Sequence, residues 1–582
     1  MPPAIHESSI EAFLAERAHP LNELSPFYDL YTLGWRGNPS DFFMIHQVDR
    51  DQEAYDGASA TVYVPQECMT IKEPRSIFGV LFKTKGLLLR NEYRTVLRDV
   101  IRFSSGEKTV FENDAGDSTE EDLLSNPFHG GLVHSPNSPG VTLMGHPGIG
   151  KTAFLWYVLI LRCLAGLETV YLNNPSQFFY FGETGSFSML YGSDSLNQPS
   201  SSPLFGPNTW VLVDLSTGSM PQVLLALRQT RAFILIASCM QPKWAAPLND
   251  PFGLKYYMKP WTLSELIQAR HLSFECPTEA ELERFCTLFP PSAGLAFMYD
   301  ARDSEKMLSI GISQATFADL VHMMQTADAL DNWLTHRILC VAPAATRDKC
   351  TANIATPEMY WQLTCSLEDN ELLALLYEMF VSSPYSVASG GYVLEASMYR
   401  LFCEGGEWAV EQVLRGDVPQ ISGNLTSAPT STSTQCYLRL GHGADLFSIA
   451  RDSLSQDDRN MFKPLTLYKY SPLANSKSGY YLSFGSESGN WIYDAEKNSA
   501  IVLQALVPGQ DLAKERNGVD ALLRSLGVAV VGYFIATPPD SDSLRKGELL
   551  TAVNLPLFRL FVPALNCRDR SFKVEEEEEQ YA

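Results

Sequence analysis

The sequence predicts an α/β fold built around a parallel sheet, and three apolar runs lead to this prediction. The first run, residues 141–144, leads directly into residues 145–152, which match the pattern G-x-x-x-x-G-K-[ST]. The other two runs are residues 210–214 and 232–237. Short apolar runs bounded by turn residues are typical of strands buried on both faces of a sheet. We therefore expect three buried strands in one α/β domain.

The segment after the first run indicates a phosphate-binding loop. Its three glycines allow the backbone to curl until successive N–H groups point at one anion. Lys151 would reach the β- and γ-phosphates, and the Thr152 hydroxyl would hold Mg²⁺. A helix predicted from Ala153 to Ala165 would direct its N-terminal dipole at the same phosphates. The alternative is a glycine-rich turn without a ligand. The predicted contacts of ATP or GTP are Gly145, His146, Pro147, Gly148, Ile149, Gly150, Lys151, Thr152 and Ala153.

The second apolar run ends in a carboxylate, Asp214. At a P-loop site, such an acid positions the water shell of Mg²⁺, so we assign Asp214 as a metal-binding and catalytic residue. The alternative is a buried strand that ends in Asp for no chemical reason. Asp214 is followed by Leu215, so the acid that would polarise an attacking water is missing there, and Glu183 is the next candidate. The third run precedes Ser238, a weaker candidate for contacting the γ-phosphate. The sequence therefore favours nucleotide binding over hydrolysis.

Composition narrows the class of protein. The chain has 582 residues, which predicts two or three domains, and no apolar stretch of membrane-spanning length is present in the sequence. No secretory signal is readable at the N-terminus, and the 11 cysteines show no zinc-ligand spacing. Both features predict an intracellular protein, in the cytoplasm or nucleus. A net charge of −23 disfavours a broad nucleic-acid-binding surface, because such surfaces are rich in Lys and Arg.

Three strings near the loop resemble one family. They are Leu89-Arg90-Asn-Glu92-Tyr93, Trp210-Val-Leu-Val-Asp214 and Tyr257-Met-Lys-Pro-Trp261-Thr-Leu-Ser-Glu265-Leu. In this order and spacing they resemble the NTPase module of Crinkler and retrotransposon-hot-spot (RHS) type proteins, especially those of large fungal families. In the third string, Thr262 is also predicted to cap a helix, with Glu265 completing a capping box.

The same family often carries a second module with a restriction-endonuclease-like fold, and the C-terminal region loosely resembles it. The resemblance implies Glu395 and Gln504 as catalytic residues and residues 491–504 as a central hairpin. Gly489 stands where the family's metal-binding Asp is expected, and Gln510 stands where a His is usual. A glycine cannot bind a metal, so we predict a degenerate nuclease. The alternative is that Asp494 or Glu487 replaces the missing ligand through a shift in register.

The predicted lid shows a similar loss. Residues 290–294 resemble a family string that normally ends in an Arg suited to sensing the γ-phosphate, and Gly294 stands at that place here. Arg284 and Arg302 are the nearest replacements. Helices are predicted over residues 263–271, 279–288 and 316–339 in this region.

The predicted domains follow from these assignments. They are an N-terminal region of unknown role (1–75), a P-loop NTPase core (76–270), a helical lid-like region (271–345), the restriction-endonuclease-like domain (346–567) and an acidic disordered tail (568–582).

Two functions fit the predicted domains. The first is a nucleotide-regulated intracellular effector or interaction protein whose nuclease fold is not catalytic. The alternative is an NTP-dependent nuclease acting on DNA. Secretion as an effector follows from family analogy alone.

Overall fold

The computed structural model has a mixed α/β architecture that divides into two compact units. The first unit comprises Met1–Leu308 with Gln325–Ala352, and the second comprises Ser309–Met324 with Asn353–Ala582. The structure describes residues 14, 18–47, 67–71, 84–107, 110–113, 126–129, 140–174, 177–190, 205–215, 223–224, 227, 230–238, 253–314 and 335–356, then short segments between 359 and 394 and the strands named below from residue 406 onward.

Eight helices with described bounds precede residue 340, and short helical segments are described between residues 359 and 394. The eight helices are α1 (Pro26–Gly34), α2 (Asn91–Ser104), α3 (Lys151–Leu164), α4 (Leu263–Ala269), α5 (Glu279–Leu288), α6 (Ala293–Ala296), α7 (Ala301–Gln314) and α8 (Thr335–Ile338), with 3₁₀ turns at Pro39–Asp41 and Arg270–Leu272. Among the described residues, none of the helices combines the length and the apolar character needed to cross a membrane.

The strands that precede residue 360 form three sheets. They are β1 (His19–Pro20), β2 (Phe43–Gln47), β3 (Glu67–Ile71), β4 (Leu87–Leu88), β5 (Gly140–Met144), β6 (Thr169–Asn174), β7 (Gln177–Gly182), β8 (Gly185–Leu190), β9 (Trp210–Asp214), β10 (Phe233–Ala237), β11 (Leu254–Tyr257), β12 (Leu339–Pro343) and β13 (Cys350–Ile354). The large sheet has the order β1-β8-β7-β6-β9-β10-β5-β11, while β2-β3-β4 and β12-β13 form small sheets.

The centre of the large sheet is parallel. Strands β6, β9, β10, β5 and β11 are parallel neighbours, whereas β6, β7, β8 and β1 pair antiparallel. Every residue of β9 and β10 is buried, as their continuous apolar composition predicts for strands covered on both faces. The carboxyl ends of β5, β9 and β10 share one edge, so the segment after Met144, the side chain of Asp214 and Ser238 all lie at that edge.

The N-terminal segment joins this sheet. Strand β1 pairs with β8, and Phe27 of α1 stacks on Trp156 of α3 at 5.3 Å and on Phe179 of β7 at 3.9 Å between ring centroids. Helix α3 buries nearly all of its side chains, which is expected of a helix that is apolar all round.

The second unit contains a ten-stranded sheet. Its strands are β14 (Gly406–Leu414), β15 (Leu425–Thr426), β16 (Gln435–Leu440), β17 (Phe447–Ile449), β18 (Leu467–Tyr470), β19 (Gly479–Ser483), β20 (Asn490–Asp494), β21 (Ser499–Ala505), β22 (Ala529–Thr537) and β23 (Leu557–Phe561). Their order is β15-β16-β14-β23-β22-β21-β20-β19-β18-β17. The β21–β22 and β22–β23 pairs are parallel, and the other pairs are antiparallel.

Most predicted elements within the described ranges are confirmed. The three apolar runs are strands, the helix after the loop is α3, and the hairpin predicted over residues 491–504 is β20–β21. The helix expected over residues 316–339 is described at its end, over Thr335–Ile338, and stops one residue earlier than predicted because Leu339 begins strand β12. Strand β12 pairs with β13, the next strand in the chain, and neither strand was predicted.

Candidate functional site

The segment between β5 and α3, residues 145–150, adopts a conformation that requires glycine. Gly145, Gly148 and Gly150 have φ values of 139°, 75° and 97°. A Cβ on Gly150 would lie 2.1 Å from the Tyr93 hydroxyl oxygen, and a Cβ on Gly148 would lie 2.4 Å from Ser292 Oγ. Both the dihedral angles and the close approach of neighbouring groups therefore exclude larger residues.

Every backbone carbonyl of this loop accepts a hydrogen bond from the protein. Lys151 Nζ donates to the carbonyls of Gly145 and His146, at 2.9 Å each. The carbonyls of residues 147 to 150 accept, in order, from Ser292 Oγ, Gly294 N, Trp261 Nε1 and the Tyr93 hydroxyl. Because the carbonyls are held by these donors, the loop has a defined shape before any ligand enters.

Arg90, Trp261 and Glu265 form a buried cluster that contacts the loop at the Ile149 carbonyl, and we call it the loop clamp. Arg90 donates to the Ile149 carbonyl at 3.1 Å and pairs with both carboxylate oxygens of Glu265 at 3.0 Å. Its guanidinium also lies 4.6 Å from the Trp261 ring centroid, and Arg90 is only 2% exposed. Arg90 thus satisfies its donors by a bidentate pair and backbone carbonyls, which is how arginine is accommodated in a protein interior.

Local sequence places Glu265 for this pairing. Thr262 caps α4, because its hydroxyl accepts a hydrogen bond from the Glu265 N–H at 3.2 Å. The Glu265 carboxylate in turn accepts a hydrogen bond from the Thr262 N–H at 2.9 Å. This is the predicted capping box, and it is confirmed. The same carboxylate therefore serves the helix end and Arg90.

The start of α6 and its N-cap residue, Ser292, lie directly against the loop. Ser292 Oγ donates to the Pro147 carbonyl at 3.0 Å, and Gly294 N donates to the Gly148 carbonyl at 3.2 Å. A Cβ on Gly294 would lie 3.1 Å from the Gly148 Cα, so the two backbones are in close contact. Residue 294, where the resemblance implies an arginine, thus contributes its backbone to the loop.

One cavity of about 470 Å³ brings several predicted residues together. Gly148, Gly150, Lys151, Thr152 and Ala153 line it, and so do Asp214 and Ser238. The other predicted contacts, Gly145, His146, Pro147 and Ile149, lie in the loop but outside the lining. Asp214 is 3% exposed and Lys151 is 7% exposed. A buried carboxylate and a buried ammonium thus lie on one cavity of a size typical of small-molecule sites.

The remaining charged candidates of the first unit lie elsewhere. Arg284 makes two hydrogen bonds of 2.6 Å with Glu305, and Glu183 pairs with Arg36 at 2.6 Å. Neither these residues nor Arg302 line the cavity, and Lys151 is the only cation among the described residues that do. No group of three or more His, Cys, Asp or Glu residues lies close enough to hold a metal within the described residues.

The C-terminal candidates are only partly described. Gln504 lies on β21, opposite Ile535 of β22, and Asp494 ends β20 opposite Ser499. Glu395, Glu487, Gly489 and Gln510 fall outside the described residues. The predicted nuclease centre therefore remains a prediction.

Sequence reasoning missed much of what surrounds the loop. Arg90, Tyr93, Trp261 and Glu265 stood in strings that carried the family resemblance, but no contact with the loop followed from those strings. Ser292 stood in the string at 290–294 without a predicted contact, and the cavity-lining residues near 84–88, 272–275 and 297–298 gave no motif, because such contacts join distant parts of the chain.

No family model matches this chain, and the comparison with curated proteins gives no match either. The site is therefore interpreted from its own geometry.

Proposed function

We propose that residues 145–153 bind the phosphates of ATP or GTP together with Mg²⁺. The chain would then be a nucleotide-binding P-loop protein of the Crinkler/RHS type. The observation that carries this proposal is the loop itself, whose six carbonyls all accept from protein donors. In a curled loop of this kind, the backbone N–H groups would donate hydrogen bonds to an anion, and the dipole of α3 would add to the attraction.

The lysine is placed to take part in the same binding. In this structure Lys151 Nζ donates to two loop carbonyls, and it lines the cavity that the loop borders. An ammonium group on a flexible stem can exchange such bonds for phosphate oxygens at little cost. The lysine would thus move from the loop carbonyls to the ligand on binding.

The residues present also fit a magnesium ion. The Thr152 hydroxyl and the Asp214 carboxylate line one cavity, and oxygen ligands with retained waters are what Mg²⁺ prefers. When bound, the ion would neutralise phosphate charge. Thr152 and Asp214 would hold it, and the N–H groups of the loop would orient the phosphates.

Regulation is a better-supported role than rapid turnover. Gly294 bonds to Gly148 through its backbone, and it offers no cation to the cavity. Residues 292–294 contact the loop where phosphates would bind, so the position of this segment can respond to the nucleotide. We therefore propose a nucleotide-regulated intracellular effector or interaction protein, with a C-terminal nuclease fold that is not catalytic.

The test is a titration of Mg²⁺–ATP and Mg²⁺–GTP against wild-type protein and Lys151→Ala. We expect the substitution to weaken binding at least tenfold, about 1.4 kcal/mol or more, because the cavity loses its cation. Lys255→Ala is the matched control, since Lys255 is exposed on β11 and lies outside the lining. Equal affinities of the wild type and Lys151→Ala would overturn the assignment.

The same samples test turnover. Because no acid follows Asp214 and residue 294 carries no cation, we expect hydrolysis well below about 1 s⁻¹, the lower end of ordinary enzyme rates. Phosphate release measured with wild type and Asp214→Asn gives the answer. A brisk rate that Asp214→Asn abolishes would contradict the regulatory role and restore a working NTPase.

A further inference from the structure

The lining of the cavity has a second, apolar part that phosphates cannot use. It consists of residues from β4, from the end of the Arg270–Leu272 turn and the segment after it, and from the segment after α6, namely Leu87, Leu88, Leu272, Phe274, Phe297 and Met298. The polar part, described above, comes from the loop, Asp214 and Ser238. One cavity therefore offers an anion-binding surface and an apolar surface together.

Two residues of the apolar part are unusually exposed. Phe274 is 58% exposed and Met298 is 62% exposed, although both line the cavity. Large apolar side chains that face water in a concave site are typical of ligand contacts rather than of packing. Since both side chains are already exposed, neither is needed to fill the core.

We infer that this apolar part binds the base of a purine nucleotide. The face of the base packs on Phe274 and Met298. This inference rests on the proposed function, because the phosphates of the same molecule occupy the loop. Packing on the face of a ring does not distinguish adenine from guanine. A pyrimidine ring is smaller and covers less of the apolar surface.

The experiment compares nucleotides with a ligand that has no base. Wild type and Phe274→Ala are titrated with Mg²⁺ complexes of ATP, GTP, CTP and inorganic tripolyphosphate. We expect ATP and GTP to bind within a few-fold of each other and more tightly than CTP and tripolyphosphate. Phe274→Ala should weaken ATP binding roughly five- to hundredfold, the range for loss of one base–aromatic stack, and leave tripolyphosphate affinity unchanged.

Controls separate this inference from the proposed function. Leu190→Ala removes an exposed apolar side chain that is outside the cavity, and it should leave the affinity for all four ligands unchanged. Equal affinity of wild type for ATP and tripolyphosphate, or an equal loss of both in Phe274→Ala, would overturn the base subsite while leaving the phosphate site intact. Failure of wild type to bind any of the four ligands would overturn the proposed function and the base subsite with it. Thermal unfolding of each variant establishes that the protein is folded.

Discussion

Two buried arginines, Arg90 and Arg347, contact residues 257–265, but only Arg90 also contacts the loop at residues 145–150. Arg90 belongs to the loop clamp and bonds to the Ile149 carbonyl of the phosphate-loop candidate. Arg347, after β12, pairs with both carboxylate oxygens of Glu92, at 2.7 and 3.1 Å, and donates to the Tyr257 carbonyl. The cluster of Arg347, Glu92, Tyr256 and Asp99 is called the scaffold clamp here.

The scaffold clamp is also hydrogen-bonded, although Arg347 Nε is buried without a partner among the described residues. Tyr256 donates to Asp99 Oδ2 at 2.7 Å, and the Arg347 guanidinium lies 5.5 Å from the Tyr256 ring centroid. Burial alone would lower the pKa of Arg347, but the hydrogen bonds and charge of Glu92 outweigh it and raise the pKa. Arg347 therefore stays charged inside the protein, and its partner is a carboxylate that also accepts from Lys259 N.

The difference between the two clamps separates contacts that stabilise the fold from contacts that shape the candidate phosphate site. Both arginines are buried and paired with a glutamate, so composition alone would give them one role. Only the loop clamp touches the loop, whereas the scaffold clamp joins α2 to β11 and to the β12–β13 sheet. We expect their removal to affect different measurements.

The largest effect is expected for Arg347→Met. The variant leaves Glu92 buried without its ion-pair partner, which typically costs about 3–5 kcal/mol of unfolding free energy. Urea unfolding measures this loss, and Lys349→Met, at an exposed residue of the same segment, is the control. Nucleotide affinity of the folded fraction should stay within a few-fold of wild type. A large loss of affinity without a loss of stability would erase the distinction between the clamps.

Arg90→Lys is expected to have an intermediate effect on stability and a clear effect on binding. The lysine keeps the charge but cannot make the bidentate pair with Glu265 and also reach the Ile149 carbonyl. We expect unfolding free energy to fall by about 1–3 kcal/mol and Mg²⁺–ATP affinity to fall roughly tenfold. Arg102→Lys, at the exposed end of α2, is the control. If stability falls and affinity does not, the loop clamp has no positioning role.

The smallest effect is expected for Tyr93→Phe. The hydroxyl donates to the Gly150 carbonyl at 3.0 Å, but that carbonyl also accepts from Phe154 N, so it keeps a partner in the variant. A loss of about 1 kcal/mol or less in unfolding free energy follows. A change above about 3 kcal/mol would mean that the loop depends on this one bond.

The same tyrosine gives a pH dependence. Burial raises the pKa of Tyr93 well above its usual value, so the neutral form is favoured in the folded protein. The contribution of neutral Tyr93 to the free energy of unfolding is complete below about pH 10, the pKa of tyrosine in the unfolded chain. This contribution is lost as the pH rises above that value. Stability measured between pH 8 and 11 should fall less steeply in Tyr93→Phe than in wild type. Identical slopes would contradict this assignment.

Sequence by itself determined the elements that depend on contiguous residues. The strand–loop–helix unit around residues 140–164, the strand ending at Asp214 and the capping box of Thr262 and Glu265 were all readable, because turn chemistry, capping and apolar runs act over a few residues. The glycines of the loop were readable for the same reason, since their φ values follow from the tight turn itself.

Tertiary structure decided the contacts between distant parts of the chain. Ser292 lies 145 residues from Pro147, and Arg90 lies 59 residues from Ile149, yet both bond to the loop. Such contacts depend on which surfaces meet after folding. The local pattern of a sequence cannot predict a contact with a residue that is distant in the chain.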